Sequence, residues 1–292
     1  MPPMKFLFQA LALAGVGLGM LTGCITAGGK AVTGLPTSTE AKQGTQITAE
    51  EIAKRLREAE KAREIKTEGG EVFTFLRDIV VEEFDAEGKI KKRKTRTYRS
   101  YSDHRDPVLL MHDGKPPTPE QIKKELKEIQ KHQWKILGKG KNDVPNSKGD
   151  ANLLVRQIEK HHHHFLPRLL GADTIHGRPA YILQFLPNPA EPFDDPIVNL
   201  ILKQLLIKIW IDQKEFQFAK FDVELDNPLF ALGGLAGTVK TFNLTAYQKR
   251  LTPEIWADWK VSTRIHIRVL WETHIINFTS ESTEFKPLPK TK

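Results

Sequence analysis

Four imidazoles in a row, His161-His162-His163-His164, are the residues of this 292-residue chain whose type and spacing first invite chemistry. At a helix end His161 and His164 share one face, enough for weak zinc or nickel binding. A built site adds a carboxylate or a further ligand held from behind, and only Glu159 is close in sequence. Solvation with adventitious metal is the expected role, and no metal or cofactor is expected. Asp194-Asp195 are paired carboxylates, but they stand before Pro196, where an acid caps a helix and meets its dipole. Gly-x-Ser-x-Gly, His-Glu-x-x-His, P-loop and dinucleotide fingerprints do not occur. The single cysteine, Cys24, excludes a disulfide scaffold and any centre of several thiolates. A non-enzyme is expected. Residues 89–99 hold seven cations in eleven positions, Lys91, Lys92, Arg93, Lys94 and Arg96 among them. They can face phospholipid headgroups, lipopolysaccharide phosphates or peptidoglycan carboxylates, or be neutralised by an acidic partner strand.

The N-terminus supplies an address. Lys5 precedes residues 6–20, an apolar run of fifteen whose only polar member is Gln9. That is short for a membrane span, which needs roughly 20 residues, and suits a secretion signal. Leu21-Thr22-Gly23-Cys24 resembles the lipobox of bacterial lipoproteins. The resemblance implies cleavage of residues 1–23 and lipidation of Cys24, and Ile25 does not resemble an inner-membrane retention residue. An exported, membrane-anchored lipoprotein is expected, on the outer membrane facing the periplasm if the cell is Gram-negative. The formal net charge of +8 then points to anionic lipid or glycan rather than nucleic acid, for which no motif is present.

The elements that must position these residues follow from periodicity. Residues 24–47 read as a flexible tether and 48–287 as one domain. Thr48-Ala49-Glu50-Glu51 is a capping box ahead of a helix over 49–64. Residues 72–76 and 79–84 read as strand, Asp85-Ala86-Glu87-Gly88 as a hairpin turn, and 90–101 as the basic return strand. Thr118-Pro119-Glu120-Gln121 starts a second helix to about 134, 138–150 is a polar loop, and 152–165 reads as a third helix. Near alternation marks strands over 178–186, 207–212, 216–225, 237–248, 261–271 and 274–285. Between the first two, Asp195-Pro196 opens a helix over 196–206 that is apolar almost all round, so it is expected to be buried. Its Leu202, Leu205 and Leu206 are candidate acyl contacts. Residues 229–237 form a greasy, glycine-punctuated segment. There Phe230, Leu232 and Leu235 either meet lipid or pack over a sheet edge.

About eight antiparallel strands with one helix before them and three inserted give an α+β fold. The sheet is expected to be strongly curved, an unclosed half-barrel with helices covering its concave side. That order resembles the Lol-type lipoprotein carrier and receptor fold. The local match is Gly177-Arg178-Pro179-Ala180-Tyr181-Ile182-Leu183, then Lys208-Ile209-Trp210-Ile211-Asp212 and Phe218-Ala219-Lys220-Phe221. These motifs carry structure rather than chemistry. The resemblance implies an apolar cavity that accepts an acyl chain, a lipid or a lipidated partner. The alternative is a non-enzymatic interaction or scaffold module of the envelope using the same fold without a ligand.

Overall fold

The alternating stretches resolve, in a computed structural model of the chain, into one unclosed antiparallel sheet of eleven strands. The structure describes residues 47–66, 71–102, 106–136, 162–194, 196–231, 237–253 and 255–289. The expected leader, the tether with Cys24 up to residue 46, the polar loop over 138–150 and the expected helix over 152–161 lie outside them. The strands are β1 (Phe73–Phe84), β2 (Ile90–Tyr101), β3 (Val108–His112), β4 (Phe165–Ile175), β5 (Arg178–Pro187) and β6 (Leu205–Asp212). They continue with β7 (Phe218–Leu225), β8 (Leu229–Ala231), β9 (Gly237–Arg250), β10 (Trp256–Val269) and β11 (Glu272–Pro287). Their spatial order is β3-β2-β1-β11-β10-β9-β7-β6-β5-β4, with β8 beside β9.

Local chemistry explains the turns. His176 and Gly177 both adopt positive φ, 51° and 75°, between the paired residues Ile175 and Arg178. Two such residues make the primed turn whose twist matches the flanking strands, and glycine takes the second position without strain. Among the described residues three α-helices accompany the sheet: α1 (Ala49–Lys66), α2 (Pro119–Ile136) and α3 (Pro196–Leu202). Both long helices start as their caps dictate. The Glu51 amide donates to Thr48 Oγ1 at 3.2 Å. At α2 the exchange is reciprocal: the Gln121 amide donates to Thr118 Oγ1 at 3.3 Å, and the Thr118 amide to Gln121 Oε1 at 2.8 Å.

The main core joins Ile52 and Leu56 of α1 to Leu183, Ile209, Val223, Leu244 and Ile265 of the sheet. A second cluster of Ile79, Tyr98, Leu109 and Phe278 shares the half-buried Val261 with the first, so both lie on one face. Helix α2 is tied to that second cluster by the Tyr98 hydroxyl, which donates to Glu125 Oε1 at 2.7 Å. Trp210, between Ile209 and Ile211, belongs instead to a third cluster with Ala180, Ala219 and Trp256. A strand sends successive side chains to opposite faces, so this cluster is on the other side.

Several sequence expectations need correction. The apolar helix stops at Leu202, and Leu205 and Leu206 open β6. The Gln204 amide donates to Ile201 O at 2.9 Å as the last turn closes, and Leu205 then pairs with Leu225. Nor is α3 buried all round, since Leu200 is 54% exposed. Phe165 begins β4 rather than ending a helix, and the 3-10 turn His162–His164 stands directly before it. Strands β3, β4 and β8 bring the number to eleven rather than about eight. Residues 72–76 and 79–84 are one strand, and β10 starts at Trp256 rather than Val261.

Candidate functional site

The residues expected to meet an acyl chain divide between three environments. Leu202 and Leu205 come together in the main core, 5% and 3% exposed, beneath the apolar face of α1 formed by Ala49, Ile52, Ala53 and Leu56. Leu206 is half-buried and, one residue on along β6, points to the opposite face. Phe230 is 61% exposed on β8, while its neighbour Leu229 is in the core. Leu232 and Leu235 lie outside the described residues. Among the described residues no helix is long and apolar enough to cross a membrane.

The basic strand is also divided. Lys91, Lys92, Arg93 and Lys94 are exposed near the β1–β2 turn. Lys92 and Arg93 face Glu83 and Glu82 across the hairpin at 3.9 and 3.5 Å, and surface pairs of this kind stabilise little. Lys91 and Lys94 have no carboxylate partner among the described residues. Arg96 points to the helix-covered face, where its Nε lies 3.5 Å from Glu125 Oε2. Glu125 therefore receives both Tyr98 and Arg96. Burial first, then the hydrogen bond to Glu125, holds the Tyr98 phenol far above its ordinary value, so it stays protonated as a donor.

The Gly177–Asp212 motif builds a polar clasp. Asp212, 1% exposed, accepts from Arg178 Nε at 2.7 Å and Nη2 at 2.9 Å. It also accepts from the Lys214 and Glu215 amides at 3.1 and 2.8 Å. Glu215 in turn holds Arg178, Arg250 and the Trp256 indole N–H. Every partner is a strand end or a turn of β5, β6, β9 or β10. The clasp ties the strand ends and turns at one end of the sheet together.

His162 meets His163 edge-on, His163 lies tilted against His164, and the His164 ring stacks on Phe193 at 3.8 Å with its Nδ1 2.7 Å from Glu191 O. His161 and Glu159 lie outside the described residues. Among the described residues no three His, Cys, Asp or Glu side chains converge as metal ligands do. Asp194 is exposed, and Asp195 lies outside the described residues.

One feature escaped the periodicity altogether. The two-residue turn between β10 and β11 is Leu270-Trp271, 50% and 84% exposed, with Leu270 at φ 55°. The signal was available as two large apolar residues where a tight turn usually has Asn or Gly.

Neither a protein-family model nor a curated protein matches the chain. Solved structures similar to it include a LolA superfamily protein from Nitrosomonas europaea, 11% identical, covering 84% of this chain and 96% of that one, with a TM-score of 0.29. A second is a putative outer membrane lipoprotein-sorting protein domain from Vibrio parahaemolyticus, 10% identical over 82% and 95% of the two chains, TM-score 0.30. A third is MucB in the Pseudomonas aeruginosa MucA/MucB complex, 9% identical over 82% and 98%, TM-score 0.25. No residue role is transferred from them.

Proposed function

We propose that the chain is a non-enzymatic, lipid-anchored envelope protein that takes an acyl chain, a lipid or a lipidated partner onto the apolar face of its unclosed sheet. The observation that carries this reading is one aliphatic cluster that joins Ile52 and Leu56 of α1 to Leu183, Ile209, Val223 and Leu244 of the sheet. A helix covering that cluster would make it a closed store that opens when the helix lifts. Magnitudes favour the exchange. Ile52 and Leu56 each contribute about 1.5–3 kcal/mol by burial, and Ala49 and Ala53 less. A long acyl chain brought from water offers about 0.8 kcal/mol for every CH₂. A chain of a dozen or more methylenes outweighs the helix. Coming from a bilayer it is already out of water, so that gain is absent, and uptake is favoured only where the chain itself re-covers the apolar surface that the helix leaves.

The N-terminal run and Leu21-Thr22-Gly23-Cys24 support the anchor. The tight packing of Leu202, Leu205 and Ile52 favours the second reading, an interaction module whose interior never opens. Growth with a photo-crosslinkable fatty acid separates the two. The reading expects a covalent lipid on Cys24, absent in Cys24→Ser, and photo-adducts in peptides from α1 or from residues 202–211. Lipid at Cys24 without interior adducts leaves the interaction module. No lipid at Cys24 removes the anchor.

A further inference from the structure

The two ends of the sheet differ in chemistry. At one end the clasp and the His176-Gly177 turn are polar, with Asp212, Glu215, Arg178 and Arg250 joined in ion pairs. At the other end large apolar side chains stand in the open. Pairing of Val269 with Glu272 projects Leu270 and Trp271 beyond the last rung of β10 and β11. Strand β8 lies beside them: Phe230 pairs with Thr238, and Arg268 Nη2 donates to Thr238 Oγ1 at 3.4 Å. Gly237, one residue earlier on β9, runs so close that a Cβ there would meet Arg268 O at 3.0 Å. The β1–β2 turn emerges on the same side, since Phe84 pairs with both Ile275 and Ile90. Ile90, Phe230, Leu270 and Trp271, each half or more exposed, thus crown one rim.

Cations collar this crown. Arg93, Glu82, Asn277 and Arg264 form one lateral row across four strands, and Lys240 and Arg264 are near enough to act on the His266 imidazole. Arg268 lies closer to the tip, and Lys91 is exposed beside Ile90. An aromatic and aliphatic tip bordered by Lys and Arg, with Glu82, Glu87 and Glu272 among them, offers apolar side chains to a bilayer interior and cations to the phosphates at its surface. Leu270 also holds a left-handed backbone that Asn or Gly would adopt at less cost, so the turn is not chosen for folding alone.

We propose that this rim docks onto an anionic lipid surface, with Phe230, Leu270 and Trp271 entering the acyl region and Arg264, Arg268, Lys240 and Lys91 meeting lipid phosphates. This contact is separate from the N-terminal anchor and from acyl capture beneath α1, and either can fail without the other. A protein held on a membrane by a flexible tether alone would tumble above it. A second, oriented contact sets which strand ends face the bilayer.

Brominated lipids test it. The full chain is reconstituted into phosphatidylcholine–phosphatidylglycerol vesicles with bromine on the acyl chains, and emission is compared between wild type and Trp271→Phe. The difference isolates Trp271. Docking predicts that this component falls about twofold or more with bromolipid and is sheltered from aqueous iodide. Arg264→Glu with Arg268→Glu should restore it. A Trp271 component untouched by bromolipid and open to iodide would overturn the proposal. So would shelter from iodide without bromolipid quenching, which means that a second copy of the chain covers the tip. Equal quenching in pure phosphatidylcholine, indifferent to charge reversal, would overturn the preference for an anionic surface. Fatty-acid uptake beneath α1 changes none of these readings.

Discussion

Burial alone would raise the Asp212 carboxyl, yet the two hydrogen bonds from Arg178 and the amides of Glu215 and Lys214 outweigh it, and the net position is below the ordinary aspartate value. A lowered folded value means that the clasp contributes stability above the unfolded pKa of roughly 3.9 and loses it as pH falls through the folded one. Asp212→Asn should cost about 3 kcal/mol at neutral pH, the low end for a broken buried pair because the Arg178 side chain remains 29% exposed. In urea denaturation the gap between wild type and variant should close below roughly pH 4. A constant gap across that range would show that the carboxylate charge is not what the clasp uses. The pairing of Arg178 with Asp212 was not legible from residues 34 apart in sequence. The fragments that hold them were, through Gly177 at a turn and alternation on either side.

At the scale of elements, legibility followed period. The β1–β2 hairpin and both capped helix starts could be read because turn residues and caps have local chemistry. The stretch over 197–206 is mostly aliphatic, and its polar break at Lys203-Gln204 was the signal that divides helix from strand. Short apolar segments on either side do not by themselves tell a buried strand from a buried helix. Only the pairing of Leu205 with Leu225 assigns Leu205 and Leu206 to a strand. Strand β4 hid for a different reason. Its burial alternates from Phe165 to Leu170, but its residue types do not, because Leu166 and Leu170 stand on the exposed face while Phe165 and Leu169 pack inward.

Helix α1 is the element on which the proposed acyl binding depends. Ile52 is fully buried, and Ile52→Ala should cost about 2–5 kcal/mol of helix docking. If α1 is a roof that lifts, the same change tightens binding of a fluorescent fatty acid, because less packing must be displaced. Titration of the anchor-free domain, residues 47–292, reads this directly. A loss of stability with no gain in uptake would make α1 a fixed wall.

Over the whole molecule, the decisive contact is the one that sequence shows least. Phe73 pairs with Pro287, so the first strand of the sheet lies against the last, and the two hairpin-rich halves become one surface. Nothing local encodes that join; it follows from which edges remain after the hairpins form. Once made, it gives an inner face of unequal halves, aliphatic under α1 and more polar near α2, where Glu125, Tyr98 and Arg96 meet. The aliphatic half is suited to an acyl chain, and the terminal strands β3 and β4 do not pair with each other, so the sheet stays unclosed.

The most direct measurement is native mass spectrometry of residues 27–292, exported into a periplasm, purified without detergent and then extracted with solvent. The account predicts a bound mass that extracts as fatty acid, phospholipid or lysophospholipid and is reduced when Ala53→Trp fills the space beneath α1. A clean apo mass that takes up no lysophospholipid on challenge would contradict it, leaving the sheet a scaffold with a solid core.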